Sequence, residues 1–260
     1  MSLLSVQNLS LAFSGGPKVL DGVSFGLEAG ESLGVLGSSG SGKSLTALSI
    51  MGLLPGSALV LGGAIMFEGQ ELLGMDPERR RRLRGGRMGL VFQEPFTALN
   101  PLMRVGQQIE EALILHCGVS PQAAPLEAAG WLDRVGLTPG GARARQYPHQ
   151  YSGGMRQRAL LAMALAGQPH LLIADEPTTA LDATVQAQML ALIRRLQDEL
   201  GFALLIISHD LAVIRALAPE ALVMDQGKVV ERGPVQQLLE APASDAAKRL
   251  LKAYAALSAD

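Results

Sequence analysis

Apolar and polar residues alternate at the start of the chain, which is the pattern of strands with one buried and one solvated face. The alternation runs from Leu4 to Leu27 around a Ser-Gly-Gly-Pro turn, so it predicts a hairpin-like β region. A short apolar strand from Glu31 to Leu36 follows and ends in glycine-rich sequence. Helical spacing then extends from Lys43 to Leu54, and the order strand, loop, helix is typical of an α/β unit.

Later apolar runs predict strands that are buried on both faces, as in a parallel sheet covered by helices. They are Met88 to Phe92, Leu171 to Ala174, Ala203 to Ile207 and Ala221 to Met224. Residues 96–158 have helical stretches broken by Pro and Gly and no clear strand, so we interpret them as a helical subdomain. The prediction is a single α/β domain. Its mainly parallel core spans 1–95, which includes the antiparallel β region, and 159–241, and residues 242–260 form a helical tail.

Composition and charge narrow the class of protein. The chain has 260 residues, of which 48% are apolar, and this suits a folded globular protein. A net charge of −2 gives no reason to expect nucleic acid or an anionic membrane as the main partner. The single cysteine, Cys117, cannot form an internal disulfide, and the N-terminus lacks the features of a signal peptide. The longest apolar run, Ala159 to Ala166, is too short to span a bilayer, so a membrane role would require partner chains.

The strongest motif is a glycine-rich loop between the predicted strand and helix. It matches the pattern G-x-x-x-x-G-K-[ST] in the context that this pattern requires. Its residues are Gly37, Ser38, Ser39, Gly40, Ser41, Gly42, Lys43 and Ser44. The glycines allow backbone N–H groups to surround phosphates, the lysine adds a positive charge, and the last serine offers a hydroxyl to Mg²⁺. The loop predicts a nucleoside triphosphate as ligand.

Two adjacent carboxylates follow a later buried strand in the segment LLIADEP. Asp175 is predicted to hold Mg²⁺ through water, and Glu176 to orient or deprotonate the attacking water. Acids at a strand end are often only solvated, but the phosphate loop upstream favours the catalytic interpretation.

Six motifs occur in the order found in ATP-binding-cassette ATPases, and the chain resembles this family. They are the phosphate loop, Gln93 in FQEP, the SGG segment, the Asp175-Glu176 pair, TALD at Thr179 to Asp182, and His209 in SHDL. The resemblance implies that Gln93 touches the metal and the attacking water and that His209 contacts the γ-phosphate. It also implies that Asp182 crosses a dimer interface, and that the signature residues contact the ATP of a partner subunit. The signature residues are Ser152, Gly153, Gly154 and Met155.

Some of these assignments have a second interpretation. His209 follows the strand ALLIIS and is expected at the sheet edge where ligands of open α/β sheets bind, although a histidine after a strand is usually structural. Gln93 could merely cap the strand MGLVF. Phe13 lies where the family has an aromatic residue that stacks on adenine, but a phenylalanine in a β region could equally belong to the core.

Two further clusters have simpler explanations. The run from Arg79 to Arg84 resembles a nucleic-acid patch, but it follows Asp76 and Glu78, and we interpret it as a solvated surface. No nucleic-acid partner is expected. His116-Cys117 is too sparse for a metal site.

The segments FQEPFTALNP and YPHQYSGGMRQRALLAMAL resemble the ATPase subunits of the oligopeptide, dipeptide and nickel importers. The wider family commonly has Leu-Ser-Gly-Gly-Gln, and here Tyr151 and Met155 replace the outer residues. The resemblance implies an ATPase that powers the import of peptides, nickel or metal chelates. This ATPase is expected to lie at the cytoplasmic face of the membrane. Its cofactors are ATP and Mg²⁺; no cysteine follows Cys117, so no iron–sulfur cluster is expected.

The partners implied are a second ATPase subunit, which is a paralogue or a second copy, two membrane permeases and an extracytoplasmic substrate-binding protein. The helical subdomain is the predicted docking surface for the permeases. Two alternatives stay open: an exporter ATPase, which is often fused to its membrane domain, and a soluble cassette ATPase that acts on DNA or ribosomes. The long coiled coils or tandem cassettes of the second class do not occur in this sequence. The cargo is recognised by the partner chains and is not predicted.

Overall fold

The computed structural model describes residues 2–92, 98–179 and 181–257. The chain forms two compact units, Met1–Arg80 with Ala203–Asp260, and Arg81–Phe202. The elements are, in chain order, β1 (Leu4–Phe13), β2 (Lys18–Leu27), β3 (Ser32–Gly37), α1 (Lys43–Met51), β4 (Ala58–Phe67), β5 (Gln70–Glu71), α2 (Pro77–Leu83), β6 (Met88–Val91), α3 (Val105–Cys117), α4 (Ala124–Arg134), α5 (Gly140–Ala144), a 3₁₀ turn (Pro148–Gln150), α6 (Gly153–Ala166), β7 (Leu171–Asp175), α7 (Ala183–Leu200), β8 (Ala203–Ile207), α8 (Leu211–Leu217), β9 (Glu220–Asp225), β10 (Lys228–Pro234), α9 (Val235–Glu240) and α10 (Asp245–Leu257).

The first unit contains the predicted antiparallel β region. Its strands lie in the order β2-β1-β4-β5, and β1 pairs with β2 from Leu4 opposite Leu27 to Ala12 opposite Lys18. Leu4, Leu9 and Leu11 are fully buried, which is the buried face that the alternating sequence predicted. β4 was not predicted, although it pairs with β1 along almost its whole length.

The same unit holds the parallel strands that position the phosphate loop. β3 pairs in parallel with β8 on one side and β9 on the other, and β10 closes the edge antiparallel to β9. β8 is buried along its full length, as expected for a strand covered on both faces. Because β3 and β8 run in the same direction, the loops that follow Gly37 and Ile207 leave from the same edge.

The second unit is mainly helical. β6 pairs in parallel with β7, from Met88 opposite Leu171 to Val91 opposite Ala174. The helices α3, α4 and α6 pack against one another, and α6 also packs against β6. α7 buries Met189, Ile193 and Leu196, whose helical spacing produces one apolar face.

The structure confirms the predicted strands and helices with shifted ends. α1 ends at Met51 rather than Leu54, because Gly52 adopts a left-handed conformation and its N–H bonds back to Leu48 and Ser49. α6 continues through residue 158, where the sequence placed the end of the helical subdomain. The two compact units also divide the chain at other positions, so the subdomain boundaries stay a prediction.

The arginine-rich segment is a surface feature, as predicted, because α2 has no buried residue. Arg80 bonds to the carbonyl groups of Ser49 and Ile50 at the C-terminus of α1, where a positive charge is favourable. Among the helices in the described part of the chain, none is both long enough and apolar enough to cross a membrane.

Candidate functional site

The loop after β3 is shaped by two glycines. A Cβ on Gly37 would lie 2.5 Å from the carbonyl oxygen of Met224, and Gly42 has a φ of +104° that side chains rarely allow. A Cβ on Gly42 would also lie 2.5 Å from Cδ2 of Leu20. The tight loop therefore depends on glycine at both positions, as the phosphate-loop motif predicted.

Lys43 folds over this loop. Its Nζ donates to the carbonyl oxygens of Gly37 at 2.8 Å and Ser38 at 2.9 Å, and the residue is only 8% exposed. The ammonium charge is thus held beside the N-terminus of α1. Gly42 provides no side-chain cap there, and the first turn of α1 carries no acidic residue. An uncapped helix N-terminus beside a buried ammonium group is suited to bind a phosphate anion.

His209 belongs to the same unit as the phosphate loop. It is exposed directly after β8, between Ser208 and Asp210. The Ser208 hydroxyl accepts a hydrogen bond from the Asp210 N–H at 3.0 Å, and the Asp210 carboxylate caps α8 by accepting from the Ala212 N–H at 2.8 Å. These two bonds fix the backbone on either side of the histidine, whose side chain is accessible to a ligand.

Phe13 ends β1 and is half-buried rather than part of the closed core. The neighbouring strand β2 brings Leu20 against the phosphate loop at Gly42. Stacking of Phe13 on adenine stays a prediction.

The two predicted catalytic carboxylates lie in the second unit. Asp175 is half-buried at the end of β7, and Glu176, which follows it, is 8% exposed. Glu176 has a φ of +52°, in the left-handed region that is unfavourable for residues other than glycine. Its Oε2 accepts a hydrogen bond from the Thr179 hydroxyl at 2.9 Å. A buried carboxylate is therefore held in one orientation on a strained backbone, an arrangement that is common at functional sites.

The signature residues form the beginning of α6. The Ser152 hydroxyl caps the helix by accepting from the Met155 N–H at 3.3 Å. Gly153 has open space where a side chain would be, whereas a Cβ on Gly154 would lie 2.8 Å from Cγ1 of Val185. The signature thus presents an accessible helix N-terminus on one side and packs against α7 on the other.

The turn before α6 is anchored by its neighbours. Tyr151 is buried, and its hydroxyl donates to the carbonyl oxygen of Arg143 at 3.0 Å. Burial raises the pKa of Tyr151 to about 12. Arg156 adds a bond from Nε to the carbonyl oxygen of Pro148 at 2.8 Å. These contacts hold the signature serine in position from both sides.

Asp182 has a structural role in addition to the predicted one. Its Oδ1 accepts a hydrogen bond from the Val185 N–H at 2.9 Å and caps α7. The carboxylate is exposed, so a partner could reach it. Ser152 and Asp182 thus both cap helices, a role that the motif comparison alone did not predict.

The sequence-predicted residues fall into two groups. The phosphate loop, Phe13 and His209 belong to the first unit, and Asp175, Glu176, the signature and Asp182 belong to the second. Gln93 lies outside the described residues. No role was predicted for Thr179, although it lies in the TALD motif, because its hydrogen bond to Glu176 depends on the backbone conformation.

Comparison with known proteins assigns the family. The family model described as ABC transporter matches residues 20–179. A Brucella abortus protein named for peptide import is 44% identical over 261 aligned positions, which cover 99% of this chain and 79% of the relative. The dipeptide transport ATP-binding protein DppD of Bacillus subtilis is 45% identical over 253 positions, or 96% of this chain and 76% of the relative.

A solved structure has the same fold. The ATP-binding cassette MJ0796, captured as a post-hydrolysis dimer bound to ADP and Pi, aligns with a TM-score of 0.78 at 26% identity. The alignment covers 89% of this chain and 98% of the cassette. The described elements agree with this fold, since they combine parallel strands, an antiparallel sheet and a helical region. The chain belongs to the ABC transporter family, as an ATP-binding member that hydrolyses ATP.

Proposed function

We propose that the chain is the ATP-hydrolysing subunit of a peptide importer and that it works in a pair of ATPase subunits. The observation that supports nucleotide binding most directly is the buried Lys43 ammonium group at the uncapped start of α1. Transport of peptides is carried over from the names of the relatives, which match nearly the whole chain.

ATP binds at the phosphate loop in this proposal. The Lys43 ammonium group exchanges its bonds to the Gly37 and Ser38 carbonyl oxygens for bonds to phosphate oxygens, which are charged and therefore stronger acceptors. The first backbone N–H groups of α1 add to this site. Phe13 stacks on the adenine, and His209 contacts the γ-phosphate.

The proposed nucleotide site includes Mg²⁺. Within the described ranges, no group of three His, Cys, Asp or Glu side chains could hold a metal ion. Mg²⁺ typically takes one or two carboxylates and completes its shell with water and substrate phosphates, and Asp175 offers one such carboxylate at the end of β7. We assign Ser44, Asp175 and Gln93 to this role. The ion neutralises charge on the β- and γ-phosphates when bound.

Glu176 is the proposed general base. It takes a proton from the water that attacks the γ-phosphorus, and the bond to the β–γ bridging oxygen breaks as ADP leaves. Burial of the carboxylate and its bond to Thr179 support this role, because a base must be held in one orientation to act. Gln93 and His209 complete the proposed set of catalytic residues.

The signature completes the ATP site of a partner subunit. Ser152, Gly153, Gly154 and Met155 form the N-terminus of α6, whose first N–H groups lack partners within the helix. The exposed Asp182 lies at the dimer interface in this proposal. ATP then favours the closed pair, and hydrolysis releases it, so that a two-state element drives the membrane partners.

The other partners follow from the importer assignment. They are two membrane permeases and an extracytoplasmic substrate-binding protein, with the ATPase bound peripherally at the cytoplasmic face of the membrane. The helical subdomain is the proposed docking surface for the permeases. It carries large apolar side chains that are mostly exposed, namely Leu102 at 86%, Leu115 at 71% and Leu126 at 80%. Single exposed leucines are common on protein surfaces, so the docking role is carried over from the importer assignment.

Glu176→Gln tests the ATPase proposal. We expect ATP binding to persist and steady-state turnover to fall by at least about 100-fold, since the amide cannot accept the proton. Glu111→Gln, on the exposed side of α3, is the matched control and should hydrolyse ATP normally. Unchanged turnover in Glu176→Gln would exclude Glu176 as the base.

Uptake by membrane vesicles tests the cargo. Vesicles that contain the ATPase pair and its co-purified permeases, supplied with the substrate-binding protein, should accumulate labelled di- and oligopeptides only with internal ATP. Uptake of nickel without uptake of peptides would overturn the peptide assignment but keep the importer. Co-purification of ribosomes or DNA in place of permeases would overturn the importer itself.

A further inference from the structure

Thr179 makes two hydrogen bonds to Glu176. Its Oγ1 donates to Glu176 Oε2 at 2.9 Å, and its backbone N–H donates to the Glu176 carbonyl oxygen at 3.3 Å. Both the side chain and the backbone of Thr179 are thus bonded to the same residue. The pair forms a tight turn immediately after β7, with Glu176 in a left-handed conformation.

The bond matters because of where Glu176 lies. The residue is 8% exposed, and a buried carboxylate that lacks hydrogen bonds is costly. A hydrogen bond from a hydroxyl to a charged acceptor is also stronger than a hydrogen bond between neutral groups. The bond from Thr179 engages one carboxylate oxygen and restricts rotation of the group, so it limits the directions in which the second oxygen can point.

We propose that Thr179 is a positioning residue for ATP hydrolysis. Its hydroxyl holds Glu176 Oε2, and Oε1 is the atom that takes the proton from the attacking water. This inference rests on the proposed role of Glu176 as the base. Thr179 itself takes no proton and touches no substrate; it acts by keeping the carboxylate in the reactive orientation.

The surrounding turn explains why Thr179 can do this. A second backbone bond connects the Leu181 N–H to the Thr178 carbonyl oxygen at 3.2 Å, and Asp182 then caps α7. Thr179 is therefore held between the end of β7 and the start of a long helix. Its hydroxyl has a fixed position from which to hold the carboxylate.

The test compares Thr179→Val, which keeps the shape and removes the donor, with Thr179→Ser, which keeps the donor. Thr184→Val is the control, because Thr184 is an exposed threonine on the first turn of α7. The full-length chain, assembled with its partner subunits, is measured for kcat, for the dissociation constant of ATP and for the thermal midpoint.

We expect Thr179→Val to lower kcat about tenfold, the usual scale for a hydrogen bond to a charged group, with ATP affinity within about twofold of wild type. Thr179→Ser and Thr184→Val should retain kcat within about twofold. If kcat falls only in the variant that lacks the hydroxyl, and ATP affinity is unchanged, the effect is one of positioning and not a general structural effect. Thr179→Ala provides the same donor deletion if the valine variant does not fold.

Combination with Glu176→Gln separates this inference from the proposed function. In the Glu176→Gln background, Thr179→Val should cause no further loss of kcat, because there is no base left to position. Wild-type turnover in Glu176→Gln alone would refute the role of Glu176, and the positioning role with it. If Glu176→Gln is inactive, two results would refute the positioning role alone. One is a normal kcat in Thr179→Val, and the other is a kcat in Thr179→Ser as low as that of Thr179→Val.

Discussion

Gly154 in the signature packs against Val185 in the first turn of α7, and a Cβ on Gly154 would lie 2.8 Å from Cγ1 of Val185. Real side chains do not approach this closely, so the contact requires glycine. The neighbouring Gly153 has no atom within 4 Å of the same position. Packing within the chain therefore requires only one of these two adjacent glycines, Gly154.

This difference predicts different stabilities for the two alanine variants. Gly154→Ala should lower the free energy of unfolding by about 1–3 kcal/mol, because Val185 is β-branched and cannot move aside easily. Gly153→Ala should be neutral or slightly stabilising, since alanine favours a helix. Chemical denaturation measures both, and both alanines can still impair contact with a partner nucleotide.

Removing the obstructing side chain is the control. In the Val185→Ala background, Gly154→Ala should therefore cost much less stability than it costs in the wild-type background. Equal stabilities of Gly153→Ala and Gly154→Ala would contradict the packing argument.

Asp182 predicts a separation between stability and activity. Asp182→Ala should cost about 1 kcal/mol of stability, because α7 loses its N-cap. Asparagine caps a helix as well as aspartate does, so Asp182→Asn should keep the thermal midpoint. If the charge acts across the dimer interface, both variants lose ATP turnover in the assembled complex. Wild-type turnover in Asp182→Asn would restrict Asp182 to capping.

The sequence predicted those parts of the fold whose residue types are fixed by backbone geometry or burial. The phosphate loop is recognisable because Gly37 and Gly42 are required by close contacts and backbone conformation. β8 is recognisable because all five of its residues are buried. In both cases the local requirement and the final structure favour the same residue types, so the sequence pattern alone predicts the element.

β4 was missed because its pattern does not match its burial. Leu59, Val60 and Leu61 are three consecutive apolar residues that are 40–53% exposed, and two glycines follow them. Pairing with β1 determines this strand, and that long-range pairing leaves no local periodicity. The bond between Thr179 and Glu176 was missed for a related reason, since it depends on the left-handed conformation of Glu176.

Replacing Lys43 should weaken nucleotide binding, and the thermal midpoint measured with and without ATP reports this loss. Lys43→Ala removes the ammonium charge from the phosphate loop, and ATP affinity should fall by at least about tenfold. A bound ligand stabilises the folded state by an amount that grows with the logarithm of ligand concentration over Kd. A tenfold loss of affinity therefore removes about 1.4 kcal/mol of this stabilisation at saturating ATP, and the rise in thermal midpoint on adding ATP should be clearly smaller than in wild type. Lys248→Ala, on the exposed surface of α10, should show the full ATP-dependent rise. A full rise in Lys43→Ala would contradict the assignment of the phosphate site.

Tyr151 predicts a specific loss of stability at high pH. Burial raises its pKa to about 12, whereas a tyrosine in the unfolded chain titrates near its ordinary value of about 10. The folded state therefore keeps the phenol proton longer, and the stabilisation is complete below about pH 10 and is lost as the pH rises from about 10 to about 12. The part of the unfolding free energy lost over this range is at most about 2–3 kcal/mol. Urea unfolding at several pH values should give a shallower alkaline decline for Tyr151→Phe than for wild type. Identical declines in wild type and Tyr151→Phe would show that titration of this phenol does not contribute to the loss of stability at high pH.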